Sequence, residues 1–73
     1  MTISDRLETL VEEMVERGVQ FEDAVQEFEK RFITRVLGGC EGSLTKSADR
    51  LGIHRNTLAR KLDQYRIRRR AGG

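Results

Sequence analysis

Apolar side chains recur at three- and four-residue steps along almost the whole chain, and no proline interrupts them. That period is the turn of an α-helix, so the expected fold class is all-α, with four helices and with glycines marking the breaks. Ser4 is placed to cap a first helix whose apolar face is Leu7, Leu10, Val11, Met14 and Val15, ending near Arg17-Gly18. The linker Gly18-Val19-Gln20 leads to a second helix from about Phe21 to Gly38, in which Ala24, Val25, Phe28, Phe32, Ile33, Val36 and Leu37 repeat. After the small-residue run Gly38 to Gly42, Ser43 can cap a short helix, Leu44 to Leu51, whose inward side is Leu44, Ala48 and Leu51. Gly52 suits the left-handed position at its end, and Ile53 turns back inward. A final helix runs from about Arg55 to Tyr65, with Leu58, Leu62 and Tyr65 on one face.

Seventy-three residues form one domain with a core that is marginal without a disulfide, a metal or a partner subunit. The single Cys40 cannot bridge internally and reads as a core or interface filler. No Cys and His residues share zinc-ligand spacing, so neither metal nor cofactor is expected. A second copy of the chain remains. Residues 4–38 read as a dimerisation helical hairpin, with Leu7, Leu10, Val11, Met14, Phe21, Val25, Phe28, Phe32 and Val36 at the interface, two hairpins together making a four-helix core. The competing arrangement packs the three phenylalanines on the C-terminal helices within one chain. A sustained coiled coil is disfavoured because Gly18 interrupts the repeat too early. No apolar run reaches membrane-spanning length and no secretion signal opens the sequence, so a cytoplasmic protein that leaves membranes alone is expected.

The two signs of charge are segregated. Residues 1–42 carry ten acidic and five basic side chains, whereas residues 43–73 carry nine basic and two acidic. A polyanion would be drawn to the second part and repelled by much of the first. A merely solubilising basic tail at 66–73 would leave the basic residues inside the preceding helix unexplained.

A helix, a tight turn containing glycine and a second helix make 43–65 a helix-turn-helix. Holding Leu58, Leu62 and Tyr65 inward presents Asn56, Ala59, Arg60 and Asp63 on the opposite side, with Thr57 and Lys61 on its shoulder and Arg55 at its entrance. The fork of an arginine suits guanine O6 and N7, which makes Arg55 and Arg60 the expected contacts to base edges in the major groove of DNA. Lys61 is a base or phosphate contact. Asn56 reads adenine or shapes the first turn. His54 and Thr57 are placed for phosphates near the helix start, although His54 serves equally as a cap. Ser43, Thr45 and Lys46 open the helix that crosses the sugar-phosphate backbone in this motif, where Ser43 can also be only a cap and the other two ordinary surface residues. In the tail, Arg66, Arg68, Arg69 and Arg70 could follow flanking DNA through its phosphates.

The segment Gly42 to Leu62, GSLTKSADRLGIHRNTLARKL, resembles the C-terminal motif of the Fis family, which also closes enhancer-binding activators of nitrogen-regulator type. The likeness rests on Ala48, Leu51-Gly52-Ile53, Arg55-Asn56-Thr57-Leu58 and Lys61-Leu62, and extends more weakly through Phe21 to Leu37. It implies a homodimer of four-helix subunits with intertwined first helices, and two recognition helices in successive major grooves of a bent, degenerate, pseudo-palindromic site. The family's contact positions fall at His54, Arg55, Thr57, Arg60 and Lys61, and its backbone contacts near Ser43 and Thr45. Ala59 departs from Fis itself, which is basic there.

The function expected is therefore sequence-selective binding of double-stranded DNA by a homodimer, as a transcriptional regulator or DNA-bending architectural protein associated with the nucleoid. The transcription machinery is a further candidate partner. A competing class is a protein interaction or anti-activator module whose arginines bind an acidic partner; it need not place Arg55, Asn56, Thr57, Arg60 and Lys61 within reach of groove edges. An enzyme is the remote third class, since no cluster of acid, base and nucleophile stands out and no phosphate-binding loop is present.

Overall fold

The computed structural model describes residues 1–68, which form α1 (Ile3–Glu16), α2 (Phe21–Gly39), α3 (Leu44–Leu51) and α4 (Arg55–Tyr65). The fold is all-helical, with four helices and no strand among the described residues.

α1 starts two residues earlier than a Ser4 cap would allow. Its cap is Thr2, whose Oγ1 accepts the Asp5 N–H at 3.1 Å while the Asp5 carboxylate accepts the Thr2 N–H at 3.1 Å. This reciprocal capping box satisfies two otherwise orphaned donors. Ser4 has Leu7 three residues on and could not close one. α2 runs one residue past the expected Gly38.

The core sits where the second half of α2 meets the two short helices. Ile33 and Leu37 from α2, Ala48 from α3, and Leu58 and Leu62 from α4 are buried together, flanked by the half-buried Leu44, Leu51, Ile53, Tyr65 and Ile67. Small Ala48 lets α3 lie close to its neighbours, and the close helix pairs are α2 with α3 and α3 with α4.

The N-terminal hairpin does not form a packed unit within one chain. α1 buries none of its residues, and only Met14 is even half-buried. The three phenylalanines do not fold back on the C-terminal helices either: Phe21 is 82% exposed, Phe28 56% and Phe32 50%. The consequence is visible in the dimensions. An 8.4 kDa chain exposes 6295 Å², where roughly 4,600 Å² is expected of a folded monomer of that mass. Its radius of gyration, 14.1 Å, likewise exceeds the roughly 11 Å expected for a compact chain of this length.

The turn between α3 and α4 is set by Gly52, at φ 73° and ψ 26°, with the Ile53 N–H donating back to the Ala48 carbonyl at 3.1 Å. A Cβ added at Gly52 would meet nothing within 4 Å, so a substitution there costs backbone conformation and not space. Gly52→Ala is expected to destabilise the fold by about 1–2 kcal/mol and Gly52→Val by more, since β-branching narrows access to that region further. Urea denaturation at fixed protein concentration checks this; equal midpoints for Gly52→Val and the parent would contradict it.

Candidate nucleic-acid interface

α4 is oriented by what it buries. Leu58 and Leu62, one turn apart, are locked into the core, and a helix that turns 100° per residue must then send the intervening positions outward. Arg55, Asn56, Ala59, Arg60 and Asp63 are all exposed, whereas Thr57 and Lys61 on the shoulder are half-buried. Among the described residues neither Arg55 nor Arg60 pairs with a carboxylate. Their guanidinium forks are open to an anion or to a planar acceptor pair.

The start of α4 is capped by His54, whose Nδ1 accepts the Asn56 N–H at 3.0 Å. This is the capping role, and it fixes the ring's other nitrogen, Nε2, as the one left to meet a ligand. Ser43 is a cap in the same way, its Oγ accepting the Lys46 N–H at 3.2 Å. Thr45 and Lys46 stand exposed in the first turn of α3, and Arg66 and Arg68 are exposed beyond α4. The expected contacts at Arg69 and Arg70 lie outside the described residues.

Lys61, expected at a base edge or a phosphate, has a partner within the chain. Its Nζ lies 2.8 Å from Glu29 Oε1 on α2, and the Tyr65 hydroxyl donates to the same oxygen at 2.8 Å. Both ionic side chains keep 31% of their exposure, so the pair is half-sheltered. The reason is register: Lys61 lies three residues after Leu58 and four before Tyr65, on the edge of the buried stripe, where a long flexible side chain reaches the neighbouring helix. Sequence reading missed Glu29 altogether and treated Tyr65 only as apolar. The available signal was the four-residue spacing of Glu29, Ile33 and Leu37, which puts the carboxylate on the core-facing stripe of α2.

The two donors hold the Glu29 carboxyl below the ordinary glutamate range, the Lys61 hydrogen bond contributing most and the Tyr65 hydroxyl next. Partial desolvation, and then the bond to Glu29, push the Tyr65 hydroxyl up. A carboxyl with a depressed folded-state pKa stabilises above its unfolded value, and that contribution disappears as pH falls through the folded value. For Tyr65, raised in the folded state, the contribution is present below the unfolded value and lost as pH rises through the folded one. The stability advantage of the parent over Glu29→Gln should therefore be constant near neutrality and vanish on acidification below the ordinary glutamate range. Urea midpoints of both proteins from about pH 7 to about pH 3 test it, and an undiminished gap at the acid end would contradict the linkage.

The order of these parts, a long helix, a short helix capped by serine, a glycine turn and an outward-charged helix, is matched by known proteins. A family model described as bacterial regulatory protein, Fis family, matches residues 24–65, more than half of the chain. The chain belongs to the Fis family. Its match runs from the first turn of α2 to the end of α4 and leaves α1 outside. Two curated relatives, each described as a putative Fis-like DNA-binding protein, come from Xylella fastidiosa strains Temecula1 and 9a5c. Each is 44% identical over 41 residues, covering 56% of this chain and 46% of the relative, so the chain spans about half the length of the curated relatives it matches. No solved structure matches it significantly. Among the described residues no group of three or more His, Cys, Asp or Glu side chains could hold a metal ion, and no helix is long and apolar enough to cross a membrane.

Proposed function

We propose that two copies of this Fis-family chain assemble through α1 and the first half of α2 and present paired α4 helices to double-stranded DNA. On this reading it is a non-enzymatic, sequence-selective regulator or DNA-bending architectural protein, acting in the cytoplasm at the nucleoid. The observation that carries the proposal is the outward placement of Arg55, Asn56 and Arg60 on a helix whose other face is locked into the core. Arginine at such a position can engage guanine O6 and N7 with both arms, and the asparagine amide can pair with adenine. Thr45, Lys46, Arg68 and the outer nitrogen of His54 are the groups that phosphates would meet, setting register and not sequence. The names of the Xylella relatives support the same ligand.

Assembly is supported by surface that a single chain leaves uncovered. Leu7, Leu10, Val11, Phe21, Val25, Phe28 and Phe32 are exposed, with Met14 and Val36 half-buried beside them. Phe28 and Phe32 pack side by side at a tilt of 48° with ring centroids 5.4 Å apart, forming an aromatic ridge on α2. An apolar face of this extent on so small a chain is the mark of an interaction surface.

Two measurements follow. In titrations on random duplex DNA at two salt concentrations, the parent should bind with strong salt dependence. On duplexes selected by the parent, Arg55→Ala/Arg60→Ala should weaken binding by about 1–3 kcal/mol per lost base contact, with the salt slope nearly kept. Unchanged binding in that double variant would move the contact to the tail or to a protein ligand. In sedimentation, the parent should run as a dimer and Phe28→Asp/Phe32→Asp as a helical monomer; a parent that stays monomeric throughout the working range would overturn the assembly.

A further inference from the structure

We propose that Glu29 is a positioning residue for the reading helix, setting the angle of α4 against α2 and hence the spacing at which two such helices meet DNA; this rests on the dimeric DNA-binding reading above. α2 and α4 touch through the shared core, but neither forms with the other one of the close helix pairs of the fold. The specific polar link between them is one carboxylate oxygen, Glu29 Oε1, which receives Lys61 Nζ and Tyr65 Oη from successive turns of α4, each at 2.8 Å. Two donors one turn apart on the same helix, meeting one acceptor, pin the C-terminal half of α4 to α2 and, within the rotational setting that Leu58 and Leu62 impose, restrain its tilt.

Placement gives that link leverage. Glu29 lies on the same stripe of α2 as the buried Ile33 and Leu37, next in sequence to Phe28 of the exposed aromatic ridge. It therefore connects the helix that would hold the partner subunit to the helix that would enter the groove. The bonds grip the C-terminal half of α4, whereas Arg55 lies at its other end, six and ten residues away, or roughly 9–15 Å along the axis. A tilt of about 15° about the grip would carry Arg55 by about 2–4 Å, the size of one base-pair step. Because Lys61 and Glu29 are each partly exposed, the pair adds only the small, pH-dependent share of global stability noted above. Its consequence is geometric.

The test uses the full chain and a pool of random-sequence duplexes. Sites enriched by the parent, by Glu29→Gln, by Tyr65→Phe and by the charge-reversed pair Glu29→Lys/Lys61→Glu are sequenced, and the half-site spacing in each pool is compared. Helix content and thermal midpoint confirm folding, and Tyr65→Phe keeps the test open if the Glu29 variant is unstable. The parent should favour one spacing. Both single variants should broaden or displace it, lowering the share of sites at the parental spacing by about two- to fivefold, the range an exposed ion pair can bias. The charge-reversed pair should recover part of the preference. A spacing distribution unchanged in both single variants overturns the proposal, as does a parent that binds DNA with no preferred spacing. Failure of the charge-reversed pair to recover any preference, accompanied by a salt slope reduced by about one, also overturns it, because Lys61 would then be a phosphate ligand that leaves Glu29 on binding. A parent that binds no duplex at any salt instead removes the DNA-binding reading itself.

Discussion

Burial of Leu58 and Leu62 against Ala48, Ile33 and Leu37 governs every other feature of the molecule. Those two leucines fix the rotational setting of α4, and with it which of its charges face outward. Ala48 makes that setting possible by letting α3 pass close to its neighbours, and Gly52 makes it compact by turning the chain without strain. Few residues do this, so the core is small, and the energy that holds α4 in place cannot be much larger than the loss from deleting one or two of its side chains. The outward charged face of α4 is therefore supported by a core that has little to spare.

That economy explains the other half of the chain. α1 and the first half of α2 carry more large apolar side chains than the core uses, yet leave them in solvent. Within one chain these side chains have no counterpart, since the apolar faces of α3 and α4 are already packed on the far end of α2. The acidic balance of residues 1–42 has the complementary effect of keeping a polyanion away from this face and directing it to the basic end. Apolar surface and charge thus divide the chain the same way: one end suited to a partner protein surface, the other to an anion.

Most of the helix-turn-helix was legible because its signals are local. Ser43, Gly52 and the spacing of Leu58, Leu62 and Tyr65 give α3, the turn and α4 their bounds, and each signal acts within a few residues. The first helix was misjudged by the same kind of rule: Ser4 and Thr2 are both good caps, and the choice falls to Thr2 because Asp5 can return the hydrogen bond. The Glu29 partner of Lys61 was not legible, since it lies 32 residues away and local periodicity places Lys61 only at the border between two faces. The capping role of His54 was legible as one of two readings, and its Nδ1 does accept the Asn56 N–H. What sequence reading lacked was the distance between helices, which depends on the volume of Ala48 and on the part of α2 that packs.

The division of labour among the cations of α4 follows from their chemistry. Arg55 and Arg60 have rigid, always-charged forks that recognise planar acceptors best when left free, and they are the ones left free. Lys61 has a flexible stem and a compact charge that can settle on a single oxygen, and it is the one tied back to Glu29. Exchanging the two types would change both arrangements. An arginine at 61 would bring a planar group to an oxygen already shared with the Tyr65 hydroxyl, and a lysine at 55 or 60 would replace an open fork with a point charge. The helix is thus arranged as three lengthwise strips, one buried, one braced and one open, and the identity of each basic residue fits the strip on which it stands.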